Sequence, residues 1–125
     1  MAVFTSFNIL ANNFLPLNVA LYCMESLVDY VKAYWDESRG DEFDHWGNTM
    51  YYFELDDDFY PTRQIQIYDN GNSLKYSRTH YLDDRYGMLS DQPLELDEMP
   101  CEKLSPEEFQ NMWEKSGVID GNSQW

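Results

Sequence analysis

A chain of 125 residues with 43% hydrophobic and 17% aromatic content has enough apolar surface for one cored domain, which excludes a largely disordered protein. Its 23 acidic residues against 8 basic ones leave a formal charge of −15. That balance excludes direct nucleic-acid binding and attraction to an anionic membrane, both of which need clustered Lys and Arg, and it favours a basic protein as partner.

The chain opens on residues 1–24, MAVFTSFNILANNFLPLNVALYCM, which carry no charge. A secretion signal would need a positive n-region, and a bilayer span would need about 20 apolar residues unbroken by Asn8, Asn12, Asn13 and Pro16. The stretch is expected to form an N-terminal arm or short helix ahead of the domain, with Met24 as the other candidate start. Cys23 and Cys101 stand in unrelated contexts without a CxxC pattern, a usage that fits a reducing, cytoplasmic setting.

Val28 to Asp36, VDYVKAYWD, puts Val31, Ala33 and Trp35 on one face at period two. A helical template would gather Leu27, Tyr30, Val31 and Tyr34 instead; the aromatic content favours a strand. Glu37 to Asn48 is a polar loop broken by Gly40 and Gly47, followed by a second strand at Thr49–Leu55. Asp56 to Thr62 connects to a third strand, Arg63–Asp69, with Ile65 and Ile67 on one side. Asn70-Gly71 predicts a type I′ hairpin with φ > 0 at both residues, leading into a fourth strand at Ser73–Thr79. Across the second and third strands Glu54 and Arg63 can face each other as an ion pair, and a structural role for them is favoured over a functional one.

Tyr81 to Lys103 has Gly87, Pro93 and Pro100 and no sustained period, so it reads as a long irregular crossing segment. The helix after it is signalled by Ser105 as N-cap, Pro106 at N1 and Glu108 closing a capping box, with Phe109, Met112 and Trp113 as the apolar stripe and Gly117 as the stop. The expected fold is α+β: an antiparallel β-meander of about four strands packed by a C-terminal helix, with the apolar N-terminal arm. Residues 1–24 form the arm, 25–116 a single domain and 117–125 a C-terminal tail.

The succession YVKAYW, YYFELDDDFYPTRQIQIYDNGNSLKY and LSPEEFQNMWEK resembles a family of small bacterial domains of unassigned function, over about Tyr30 to Lys115. The resemblance rests on Trp35, Glu54, Leu55, Asp56, Tyr60, Arg63, Asn70, Gly71, Pro93, Glu107, Glu108, Phe109 and Trp113. The hairpin here is Asn-Gly where the family pattern has Asp-Gly. The resemblance implies a compact α+β structure and occurrence among toxin and immunity genes; it implies no catalytic residue.

The run Asp56-Asp57-Asp58 admits three readings: a metal site, a solvated turn or part of an acidic docking face. Neither it nor YLDDRYG has the alternating spacing of a calcium loop, and His45 and His80 stand alone without zinc-ligand partners, so no metal or cofactor is expected. Paired carboxylates could serve as acid and base, but adjacent aspartates in turns are normally solvated, and no nucleophile motif is present. The acids gather in loops interleaved with aromatic residues, a composition suited to an interface in which Tyr and Trp anchor and carboxylates rim. The leading expectation is a non-enzymatic, cytoplasmic immunity-type protein that occludes a basic toxin, a nuclease being the natural class. Its contact residues are expected to be Asp56, Asp57, Asp58, Tyr60, Tyr81, Asp83, Asp84, Tyr86 and Trp46. The alternatives are a nucleic-acid mimic that blocks a DNA-binding protein, and a small enzyme using acidic-loop carboxylates. Oligomeric state stays open.

Overall fold

The computed structural model describes residues 29–98 and 100–125. The expected N-terminal arm at 1–24 lies outside the described residues, as does Cys23.

Among the described residues four strands are long: β1 (Asp29–Trp35), β2 (Thr49–Leu55), β3 (Pro61–Tyr68) and β4 (Ser73–Ser77). Short strands β5 (Glu102–Lys103), β6 (Val118–Ile119) and β7 (Asn122–Ser123) follow, with one helix, α1 (Pro106–Lys115), between β5 and β6. All pair antiparallel in one sheet of order β5-β1-β2-β3-β4-β6-β7. This corrects the expected four-strand meander packed by a C-terminal helix: the described residues are mostly sheet, seven strands wide, with one short helix among them. Two-residue strands carry no period of their own and exist only because an edge offers them backbone partners. The stretch 117–125, expected as a tail, supplies two of them and buries Ile119.

Register assigns the faces. Tyr30, Glu54 and Arg63 lie in line across β1, β2 and β3, and Ile65 pairs with Lys75 on the same side. The helix covers this side. Phe109, fully buried, meets the Tyr30 ring at 5.3 Å, while the Arg63 guanidinium lies over Phe109 at 4.8 Å and Trp113 at 5.0 Å. Trp113 itself is only partly buried. The capping box forms as expected: Glu108 N–H donates to Ser105 Oγ at 3.1 Å and Ser105 N–H to Glu108 Oε1 at 3.0 Å. At the other end Lys75 Nζ donates to the Trp113 carbonyl at 2.8 Å, placing a cation where the helix dipole favours one.

The opposite side holds Val31, Phe53, Leu55, Leu74, Tyr76 and Tyr68, which form two clusters. Among the described residues no helix covers them. Loops do, contributing Trp46 from a 3₁₀ turn at Asp44–Trp46, Leu89, and the partly buried Leu94, Leu96 and Cys101.

Both hairpin ends of β3 depart from expectation. After Tyr68 the Gly71 N–H donates to the Tyr68 carbonyl at 2.9 Å, Tyr68 N–H donates to Asn72 O at 2.9 Å, and only Gly71 has positive φ, at 94°. That is a three-residue turn closed by a left-handed glycine, not a type I′ pair. At the start of β3, Glu54 opposes Arg63 while Leu55 opposes Pro61, so Thr62 is the extra residue of a bulge. Its hydroxyl donates to Glu54 Oε1 at 2.7 Å.

Candidate protein-binding face

The aspartate run splits into two functions. Asp56 Oδ1 accepts from the backbone N–H groups of Asp58 and Tyr60, both at 2.9 Å, and Asp56 Oδ2 meets Arg78 Nη2 at 3.3 Å. These bonds, led by the one from Tyr60 N–H, hold the Asp56 carboxyl below its ordinary value. Asp56 is the residue that folds the turn. Asp57 and Asp58 are exposed and make no ion pair among the described residues.

The turn also forces Phe59 to φ 67°. A left-handed conformation costs an L-residue with a bulky side chain roughly 1–2 kcal/mol, and strain of this kind clusters at functional sites. Phe59 N–H donates to Asp56 O at 3.0 Å, and Phe59 O accepts from Leu94 N–H at 2.9 Å, so the conformation is fixed from both sides. The result is that Phe59 and Tyr60 stand 41% and 40% exposed at the loop tip.

A second loop meets this one. Leu89 N–H donates to Leu82 O at 2.8 Å and Asp84 N–H to Gly87 O at 3.0 Å, giving a tight hairpin within the segment expected to be irregular. Its turn is organised by Asp84, whose carboxylate accepts from Tyr76 Oη at 2.7 Å, Tyr86 N–H at 2.9 Å, Gly87 N–H at 3.2 Å and Gln124 Nε2 at 2.9 Å. Burial, then the Asp84 hydrogen bond, pushes the Tyr76 hydroxyl up, so Tyr76 stays a neutral donor. Between the two loops lies a cleft of about 370 Å³ lined by Tyr60, Arg78, Leu82, Asp83, Met88 and Asp91 among others. Leu82 and Met88 are large exposed apolar residues, and Asp83 and Asp91 are exposed beside them.

Of the residues expected to make contacts, Tyr60 and Asp83 thus share one cleft, with Asp57 and Asp58 on the adjoining turn. The others lie elsewhere or serve the fold. Trp46 is in the core, packed edge-on against Tyr68 at 5.1 Å. Tyr86 packs on Trp46 and Phe43, and Tyr81 on Tyr76 and Trp125. Asp56 and Asp84 are consumed by backbone and tyrosine donors. Phe59, Leu82 and Met88 were not anticipated; the signal for the latter two was an apolar residue on each side of DDRYG without a period to give it a core position.

Among the described residues no group of three or more His, Cys, Asp or Glu is placed to hold a metal ion, and no helix is long and apolar enough to cross a membrane. His80 sits edge-on to Trp125 at 5.4 Å, and His45 is exposed in the 3₁₀ turn. Glu54 and Arg63 form the ion pair expected of them, and it is bidentate, at 2.9 and 2.8 Å. Burial raises the Glu54 carboxyl, but hydrogen bonds from Arg63, Thr62 and Tyr30 together with the Arg63 charge outweigh it and hold Glu54 below its ordinary value. With the helix over it, the pair serves the fold. Compared with known proteins, the chain matches no family model, no curated protein and no solved structure.

Proposed function

We propose that this is an acidic, immunity-type cytoplasmic protein that binds a basic toxin, a nuclease by the logic of its charge, and occludes its active or substrate-binding face. The observation that carries the reading is the meeting of Tyr60 and Asp83, from separate loops, around one cleft beside a strained, outward-held Phe59. Exposed apolar groups with carboxylates around them suit Lys and Arg side chains, whose aliphatic stems lie on Leu82 and Met88 while their charged ends reach Asp83, Asp91, Asp57 and Asp58. The net charge of −15 adds long-range attraction that speeds encounter, and the desolvated apolar contacts slow release.

The test is inhibition of purified basic nuclease domains, read as nucleic-acid cleavage while the chain is titrated in, with hen lysozyme as an equally cationic control for binding. The expected result is inhibition of one nuclease at one-to-one stoichiometry, weakening with salt and absent for lysozyme. The triple variant Asp57→Asn, Asp58→Asn, Asp83→Asn should fold normally and associate at least roughly tenfold more slowly at low salt. Inhibition by the triple variant with unchanged rate and salt response would refute the acidic face as the contact surface.

A further inference from the structure

A second cavity, of about 320 Å³, opens on the loop-covered side of the sheet at the far end of β3 from the acidic cleft, between β1, β2, β3 and the Tyr86–Met88 segment. Its size is at the small end of small-molecule sites, roughly 300 to 1,000 Å³. Its floor is polar although it is buried. Gln64 Nε2 donates to Gln66 Oε1 at 2.9 Å and to Met88 O at 3.1 Å, Gln64 Oε1 accepts from Ser90 N–H at 2.9 Å, and Gln66 Nε2 donates to Tyr68 Oη at 2.8 Å. Arg39 Nη1 also donates to Tyr68 Oη, at 3.2 Å. Tyr68, 4% exposed, therefore receives two hydrogen bonds, and its own O–H proton has no acceptor among the described residues. Thr49 lines the same cavity at 2% exposure, and its hydroxyl has no hydrogen-bond partner among the described residues. Groups buried this deeply and left over cost about 1–3 kcal/mol each unless water or a ligand meets them.

The ligand class follows from what the cavity lacks. An anion finds no free positive charge, because Arg39 is held by Asp41 at 2.9 to 3.2 Å and also donates to the Tyr86 carbonyl. A cation finds amides and hydroxyls on the floor, with the carboxylates of Glu37 and Asp41 only at the exposed rim. A purely apolar molecule would leave Thr49 and Tyr68 unmet. A neutral molecule with several hydroxyls satisfies both. The walls add shape: Trp35 stands 52% exposed at the mouth, and Trp35, Tyr51 and Gln64 are shared with an adjoining, mostly apolar cavity that reaches Phe53 and Pro100. Flat aromatic faces beside neutral planar amides match the C–H face and the hydroxyl edge of a sugar ring.

We propose that this cavity binds a single neutral saccharide ring, with an apolar substituent of the glycoside lying in the adjoining cavity. The site meets the acidic cleft only at Met88, which lines both, and its polar floor of Gln64, Gln66, Tyr68 and Thr49 lies outside the cleft, so the proposal stands whether or not the chain inhibits a toxin.

The experiment is saturation-transfer difference NMR on the full chain with the methyl and 4-nitrophenyl glycosides of D-glucose, D-galactose, D-mannose and N-acetyl-D-glucosamine, and with acetate, phosphate and choline as anionic and cationic probes. Saturable transfer to at least one glycoside is expected, severalfold tighter for the aryl than for the methyl form. Trp35→Ala and the near-isosteric Thr49→Val should each weaken it by about tenfold with an unchanged far-UV circular dichroism spectrum. Trp35 is exposed, so that variant stands if Thr49→Val misfolds. Transfer to none of the glycosides, competition by acetate, phosphate or choline, or unchanged binding by Trp35→Ala would overturn the proposal and leave a cavity that holds water.

Discussion

The two sides of β3 bury polar groups in opposite ways. Toward the helix, Arg63 brings a full charge beneath α1 and is met by Glu54, by Gln110 Oε1 at 3.0 Å and by the faces of Phe109 and Trp113. Toward the loops, β3 itself contributes neutral groups: Gln64, Gln66 and Tyr68 satisfy one another in a line, Arg39, paired with Asp41, reaches Tyr68 from the covering loop, and the Tyr68 O–H and the Thr49 hydroxyl are left over among the described residues. A charge must be fully paired to be kept inside, so the helix side is closed and committed to stability. A neutral hydroxyl left unmet costs far less than an unpaired charge, so the loop side can keep a cavity.

The sharpest way to break the contrast is Phe109→Ala, which removes the lid of the helix side. Because Phe109 is fully buried, urea unfolding should show a loss of about 3–5 kcal/mol. If the loss is under about 1 kcal/mol, the helix does not close that side. Next comes Glu54→Gln, which leaves Arg63 beneath the helix without its counter-ion. The expected loss at neutral pH is about 2 kcal/mol, in the range of hydrogen bonds to charged groups. Since the folded-state value of Glu54 lies below its ordinary 4.5, its contribution is present above about pH 4.5 and disappears as pH falls through the folded value. The gap between parent and variant in thermal melts should therefore narrow on acidification; a gap constant from pH 7 to pH 3 would show that the carboxylate charge is not what counts.

On the loop side the corresponding change is smaller. Gln64→Leu deprives Ser90 N–H and Met88 O of their partner, offset in part by added apolar burial, for a net loss of about 1–2 kcal/mol and faster hydrogen exchange at Ser90. Unchanged exchange at Ser90 would mean that the line of glutamines does not tie the crossing segment down. The smallest expected effect is at the turn where β3 begins. Phe59→Gly relieves a left-handed side chain at the expense of some burial and backbone entropy, so melting should shift by no more than the equivalent of ~1 kcal/mol, in the stabilising direction. A large loss would place Phe59 among the residues that hold the loop side shut.

The contrast was half legible from sequence. In RQIQIYD strict alternation puts isoleucines on one side and glutamines on the other, and alternation of that kind normally marks one buried and one wet face. Here both are covered, because loops far away in the chain return over the glutamines, and no local pattern encodes a return. The long strands and the capping box were readable because their signals are local. Trp46 was not: it sits in a charged loop, and only the left-handed Gly47, whose added Cβ would fall 2.6 Å from Asp69, lets the chain press that loop against β3 and drop the indole into the core. Tyr60 and Asp83 were named from composition, yet their sharing of one cleft depends on the hairpin held by Asp84, a contact between segments that periodicity does not report.

The two-residue strands at the rims have a consequence for life in a crowded solution. An open sheet invites a second molecule to add its own strand along an unpaired margin. Here β1 is paired at Val31 and Lys32 by Lys103 and Glu102, both exposed, with Lys103 Nζ 3.5 Å from Asp29 and Lys32 Nζ 3.8 Å from Glu102. At the other margin, exposed Asn122 and Ser123 end the sheet directly after a sharp turn through Gly121. Where they lie, these two-residue strands offer an intruding chain a short ladder flanked by hydrated side chains. Short polar strands of this kind are a recognised guard against edge-to-edge stacking, and here they come from the least regular segments of the chain.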